Sequence, residues 1–323
     1  MIRLGTRGSA LALAQSRQVA GALAQVAGEQ VELVTITSEG DVSRASLAEV
    51  GGQGVFATRL REALQAGTCD VLVHSLKDLP TAPVPGLVVG AIPAREDARD
   101  VVVTRDGTGL HELPAGAVVG TGSPRRIAQL RIRNPRVRWQ DIRGNVDSRL
   151  ARVRSGELDA VVLAAAGLAR LGGLTDLAGE ALGLAEWPSA AGQGALAIEI
   201  REDAAPALRD AVAALDHEPT RLAVTAERAV LAGLEAGCHA PVGIHARLEA
   251  GLLRVRAIVY APDGARRVGT ERTCALIGGY AGNSGSGDGA DAVGDADIRT
   301  RAQRTGDGIA RELLARGAAD ISQ

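Results

Sequence analysis

The sequence predicts an α/β protein: two α/β domains followed by a small C-terminal α+β domain. Buried-type strands such as Val71-Leu72-Val73 alternate with helices of ten or more residues, the pattern of parallel sheets. The pattern then restarts. Val119-Gly120-Thr121-Gly122-Ser123 echoes Leu4-Gly5-Thr6-Arg7-Gly8-Ser9, each reading as a strand, a Gly-Thr turn and a Ser before a helix. The last hundred residues or so turn into a meander between helices. At about 150 residues per domain, 323 residues make two domains or three.

The elements follow in order. Ile2–Gly5 is a strand, Ser9–Gln25 a helix and Val31–Thr37 a strand. Gly51-Gly52-Gln53-Gly54 is a flexible loop before a helix over Val55–Gln65. Asp70–His74 is a buried strand running into Ser75-Leu76-Lys77-Asp78-Leu79-Pro80. Strands over Leu87–Ile92 and Val101–Thr104 follow. In the second half, strands over Ala117–Gly120, Val137–Ile142 and Ala160–Leu163 alternate with helices over Ser123–Arg133 and Asn145–Ser155. Ala195–Ile200 is a strand and Ala204–Ala214 a helix. A helix over Pro219–Leu234 leads to Cys238. Gly243–Leu248, Leu252–Tyr260 and Arg267–Ala275 form the meander, and a helix over Arg301–Arg316 closes the chain. Gly278–Asp297 is rich in Gly, Ser, Ala and Asp and reads as a disordered surface insertion.

Composition excludes several classes. Hydrophobic residues are 46% and charged residues 23%, so the chain is globular. Aromatics are 2%, too few for the stacking platforms of a single-strand nucleic-acid binder. Three cysteines at long spacings fit neither a disulfide framework nor a metal knuckle, and the scattered histidines show no metal-ligand spacing. Arg3 and Arg7 interrupt any signal-peptide run, and no apolar stretch is long enough to span a membrane. The expectation is a reduced, soluble, cytoplasmic protein with no metal, nucleic-acid or membrane partner.

Charge is concentrated. The net charge is −2, yet Thr121–Arg154 holds ten arginines against two aspartates, a local net of +8. That pattern points to a discrete anionic ligand. Of 36 basic residues only Lys77 is a lysine. Arginine-rich composition accounts for the depletion, and the survivor hints at a position that needs an ammonium or amine.

Five segments carry candidate chemistry. Ser123-Pro124-Arg125-Arg126 combines an N-cap, Pro at the first helical position and two forked cations, an anion site or else an ordinary capped helix with solvated arginines. Arg143-Gly144-Asn145 with Arg149 repeats the theme, and Thr6-Arg7-Gly8-Ser9 is a third instance. In parallel α/β sheets such helix starts share the ligand edge. Asp78 after a buried strand suits acid/base work or stabilisation of a developing cation, the alternative being an Asp–Lys surface pair. Cys238, between Gly237 and Pro241, suits a nucleophile or covalent attachment point with His239 beside it, or else a structural thiol. Cys69 and Cys274 read as core or edge thiols.

Six motifs in one order resemble the porphobilinogen deaminase (hydroxymethylbilane synthase) family. They are Gly5-Thr6-Arg7-Gly8-Ser9-Ala10-Leu11-Ala12-Leu13, Val73-His74-Ser75-Leu76-Lys77-Asp78-Leu79-Pro80, Gly120-Thr121-Gly122-Ser123-Pro124-Arg125-Arg126, Ile142-Arg143-Gly144-Asn145-Val146, Gly192-Gln193-Gly194-Ala195 and Leu234-Glu235-Ala236-Gly237-Cys238. The resemblance implies two domains like type II periplasmic-binding-protein lobes, with the chain crossing between them twice. Residues 1–93 and 195–215 would form the first, 94–194 the second and 216–323 the third. It implies a monomeric transferase that joins four porphobilinogen molecules head to tail with loss of ammonia. A dipyrromethane cofactor would be held by a thioether to Cys238. It implies catalytic roles for Asp78 and Lys77. Ser123, Arg125, Arg126, Arg143 and Arg149 would bind the cofactor, and Arg7, Ser9 and Arg170 the substrate. Each pyrrole carries an acetate and a propionate, so a growing chain demands clustered arginines. Loss of ammonia leaves a delocalised cation that a fixed Asp78 carboxylate can stabilise. The sequence departs from the family pattern at Glu49 and Gln53, where many members carry lysine. Two alternatives stand beside this reading: a non-catalytic small-anion-binding protein of the same fold, and a Schiff-base lyase using Lys77.

Overall fold

The structure, a computed structural model, describes residues 1–36, 55–173, 176–235, 240–276 and 295–321. Cys238, His239, Glu49, Gln53 and most of the expected insertion lie outside them.

Among the described residues three sheets organise the chain. The first has the order β2-β1-β3-β10-β4, with β1 Ile2–Thr6, β2 Val31–Thr35, β3 Val71–Ser75, β4 Leu87–Ala91 and β10 Leu196–Arg201. The second has the order β7-β6-β8-β5-β9, with β5 Asp100–Thr104, β6 Val118–Gly120, β7 Arg138–Gln140, β8 Ala160–Ala164 and β9 Ala178–Ala181. The third is the meander β11 Val242–Glu249, β12 Leu252–Tyr260 and β13 Arg267–Ala275. Helices α1 (Ala10–Ala27) and α2 (Val55–Gln65) belong with the first sheet. Helices α3 (Pro124–Arg133), α4 (Val146–Arg154) and α5 (Ala165–Arg170) belong with the second, and α6 (Pro206–Ala213) follows β10. Helices α7 (Glu218–Gly233), α8 (Asp295–Ala315) and α9 (Ala318–Ile321) complete the third unit.

The sheets are mixed, which corrects the expectation of parallel ones. β1, β2 and β3 run parallel, as do β6, β7 and β8. β10 is antiparallel to β3, with Leu196 opposite Ser75. β5 is antiparallel to β8, with Asp100 opposite Ala164. The cause is connectivity. β4 ends at the edge where β3 ends, the chain crosses to the second sheet, and β5 therefore starts at that sheet's corresponding edge. The return crossing enters β10 in the same way. Both crossings thus run along the ligand edges of both sheets, where the parallel strands deliver their loops.

Apolar strand faces fill each core. Leu4, Val71, Ile198 and Leu23 pack within the first unit, Val102, Val119, Val162 and Trp187 within the second, and Val230, Ile244, Val255 and Ile309 within the third. Cys69 is buried and Cys274 half-buried on β13. Three elements went unforeseen. β9 is Ala-Gly-Glu-Ala, which lacks any strand pattern, and α5 and α9 are too short to show a helical period. Helix α8 begins at Asp295, so the end of the expected insertion is helical.

Candidate active site

Local sequence places each side chain at the ligand edge. β1 ends at Thr6, and the Ser9 hydroxyl accepts from the Ala12 N–H at 3.3 Å, starting α1. Arg7 lies half-buried in the turn between them. β3 runs into a 3-10 turn over Leu76–Asp78, which sets Lys77 half-buried and Asp78 exposed. Burial pushes the Lys77 ammonium below its ordinary value; Asp78 and Asp100 oppose this, and Arg126 and Arg125 reinforce it. Lys77 of the first unit therefore lies within electrostatic reach of Arg125, Arg126 and Asp100 of the second.

After β6, Ser123 stands at the N-cap of α3, but its hydroxyl does not cap; its N–H donates to Thr121 Oγ1 at 3.2 Å. Arg125 and Arg126 are buried on the first turn, not solvated. Both meet Asp100: Arg125 Nη2 lies 2.9 Å from Oδ2, and Arg126 Nη2 donates to Oδ1 at 2.6 Å. Trp187 Nε1 donates to Oδ2 at 2.7 Å and Gln193 Nε2 to Oδ1 at 2.9 Å. Burial alone would raise the Asp100 pKa, but Arg125 and Arg126, with bonds from Arg126 and Trp187, hold it well below the usual carboxylate range. The expected forks of Arg125 and Arg126 are thus already engaged by an internal carboxylate.

After β7, Gly144 takes φ 103°, a left-handed backbone that favours glycine, and its carbonyl accepts from Arg149 Nε at 3.0 Å. Asn145 caps α4 through Ser148 N–H at 2.8 Å, leaving Arg143 exposed at the rim. Burial lowers the Arg149 pKa, and the neighbouring cations Arg126 and Arg143 lower it further. Arg170, at the end of α5, donates from Nη2 to the Gly194 carbonyl of the return crossing at 2.8 Å.

Cys238 follows α7, and β11 resumes at Val242. Ile244 N–H donates to Ser189 O at 2.7 Å, and the adjoining Pro188 carbonyl accepts from Arg125 Nη1 at 3.0 Å. The far end of the Cys238 segment is thereby tied to the residues that hold the arginine pair.

Two family models match in tandem: "Porphobilinogen deaminase, dipyromethane cofactor binding domain" over residues 2–209, and "Porphobilinogen deaminase, C-terminal domain" over residues 221–279. The chain belongs to the porphobilinogen deaminase family. A porphobilinogen deaminase of Leifsonia xyli is 55% identical, covering 99% of this chain and 94% of its own. One from Thermobifida fusca is 54% identical over 84% of this chain and 85% of its own, and one from Streptomyces coelicolor is 55% identical over 83% and 86%. A solved periplasmic arginine-binding protein of Salmonella typhimurium is 16% identical over 66% of this chain and 90% of its own, with a TM-score of 0.37.

The residues present fit the cofactor for which the first model is named. Nε of Arg125, Arg126 and Arg170 is buried with no partner, so three cationic donors await acceptor oxygens, as a group with carboxylate side chains would supply. Among the described residues no cluster of His, Cys, Asp and Glu could hold a metal ion, and no helix is long and apolar enough to cross a membrane.

Sequence reasoning missed Asp100, Trp187 and Glu227. Asp100 heads the apolar run Val101-Val102-Val103, and a charge at the mouth of a fully buried strand was the available signal. Glu227 sits on the buried stripe of α7 between Ala223, Val224 and Val230, where one acid among apolar positions must find a partner.

Proposed function

We propose that this chain is a transferase that joins four porphobilinogen molecules head to tail, releasing ammonia, to give hydroxymethylbilane for tetrapyrrole synthesis. The observation that carries it is the nearness of Lys77, which adjoins Asp78 after one sheet, to a buried arginine pair with unpartnered Nε donors on the other. Polycarboxylate recognition and cation stabilisation then fall in one cleft, which a non-catalytic anion binder would not need. The Schiff-base reading leaves that cluster unused.

In this reading Arg143, Arg149, Arg7 and Arg170 hold the acetate and propionate groups, with Ser9 and Ser123 as neutral donors. Arg125 and Arg126 contribute Nε–H donors. When bound through Cys238, dipyrromethane supplies the free pyrrole carbon from which the product grows. Asp78 stands ready to accept the substrate pyrrole N–H and to stabilise the positive charge that develops as ammonia leaves. Its exposure lets it take up and release the proton from the new bond. Lys77 orients ligand carboxylates, or the leaving amine, beside it.

The chain would work as a cytoplasmic monomer on a small molecule. A net charge of −2 and an aromatic share of 2% support this against a nucleic-acid partner. Intact mass with peptide mapping tests the whole reading. An excess of two pyrrole units on the Cys238 peptide is expected, growing stepwise with porphobilinogen. An adduct mapped to Cys69 or Cys274 would refute the attachment site, and a bare chain that porphobilinogen does not extend would refute the activity.

A further inference from the structure

Each guanidinium of the buried pair has three donor nitrogens, and the fold accounts for two. Arg125 Nη1 donates to Gln129 Oε1 at 2.8 Å and to Pro188 O at 3.0 Å; Arg126 Nη1 donates to Val162 O at 2.8 Å. Nη2 of each goes to Asp100. Of these nitrogens only the two Nε are buried with no partner at all. Burying a cationic donor without a partner is costly, and the ion pair itself gives these two Nε–H groups no acceptor. Here the carboxylate takes the same corner of both forks and leaves the same atom of each.

We propose that Asp100 is a positioning residue for ligand carboxylates. It aligns Arg125 and Arg126 so that each presents its Nε–H, and it cancels one of their two charges. Each arginine then makes a single-point contact, and bidentate recognition falls to other arginines. Asp100 also accepts from Gln193 on the return crossing, so the alignment is referred to the segment joining the two sheets. This inference rests on the cofactor reading above.

The test uses the full chain made in cells that produce no porphobilinogen. Adduct mass on the Cys238 peptide is then followed after porphobilinogen is added. In parallel, the thermal midpoint of the unloaded chain is measured with and without succinate, a simple dicarboxylate. Asp100→Asn is expected to load roughly tenfold more slowly, the factor one hydrogen bond is worth. Its midpoint should rise more in succinate than that of wild type, because a freed Nη2 takes an added carboxylate. Loading at the wild-type rate would overturn the proposal. So would slow loading without the succinate gain, which marks a merely structural acid. If Asp100→Asn does not fold, Gln193→Met removes one donor to Asp100, along with the bonds to the Ala98 and Arg99 carbonyls, and spares both arginine pairs: slowed loading with a larger succinate gain than wild type supports the proposal, and wild-type loading overturns it. No adduct on wild type would overturn the cofactor reading and this inference together, whereas wild-type loading with an unaffected variant overturns this inference alone.

Discussion

Arg95 and Glu227 face each other as a two-point pair, Nη1 to Oε1 at 2.7 Å and Nη2 to Oε2 at 3.2 Å, joining the outgoing crossing to α7. The same fully buried carboxylate accepts Gly192 N–H from the return crossing at 2.6 Å and Ala246 N–H from β11 at 2.7 Å. One side chain thus ties both crossings to the two elements that flank the Cys238 segment.

Glu227→Ala should therefore be severe. It strands the Arg95 cation and two buried N–H groups at once, and breaking a buried pair from one side costs about 3–5 kcal/mol. Denaturant unfolding measures this. A loss below about 1 kcal/mol would mean that water replaces the carboxylate, and that the crossings are not held by it.

His245 gives the chain a pH-dependent stability. Its Nδ1 is buried without a hydrogen bond, 3.6 Å from Glu227 Oε1. Burial pushes the imidazole from 6.5 down to about 4; Glu227 and Asp97 oppose, and Arg95 and Arg247 reinforce. The unfolded ring takes a proton near 6.5, and the folded ring holds out until about 4. The unfolded state binds more protons across that window, so stability falls as pH drops through it, by about 3 kcal/mol in all. His245→Gln should flatten this limb of the stability curve. An unchanged slope would assign the pH dependence to other groups.

Asp78 and Lys77 separate by role. Asp78 is exposed, so Asp78→Asn should leave folding untouched and lower turnover by about 10²–10⁴-fold, the range of a positioned acid/base or charge stabiliser. Lys77→Arg keeps the cation and should be far milder. Turnover of the two purified variants decides. Equal losses would return the Schiff-base reading, in which only an amine serves.

The sequence carried the architecture because period and capping are local. Val55–Gln65 and Leu252–Tyr260 were legible to the residue, and Asn145 caps α4 where its position said it would. Strand direction was not legible, because β5 and β10 owe theirs to where the chain crosses between sheets. The arginines were legible as charge but not as partners. Nothing local says that Arg125 and Arg126 turn inward to an aspartate 25 residues or more upstream, or that Arg170 reaches the Gly194 carbonyl. Local patterns such as Ser123-Pro124-Arg125-Arg126 name the donors, and only the packed fold names their acceptors.

Gly194 is one point where the two crossings touch. It adopts φ 88°, and a Cβ there would stand 2.4 Å from the Glu96 carbonyl oxygen, a backbone atom that cannot swing aside. Its own carbonyl accepts from Glu96 N–H at 3.3 Å and from Arg170 Nη2 at 2.8 Å. Gly194→Ala must therefore separate the crossings or distort φ, at a cost of about 1–3 kcal/mol for the strained backbone alone. The displaced carbonyl would also release Arg170, whose Nε already lacks a partner. Turnover should thus fall more than stability does, with KM for porphobilinogen rising as the arginine loses its anchor. Unfolding and steady-state kinetics on the one variant compare the two losses. A stable enzyme with unaltered KM would show that the crossings tolerate separation and that Arg170 does not depend on Gly194.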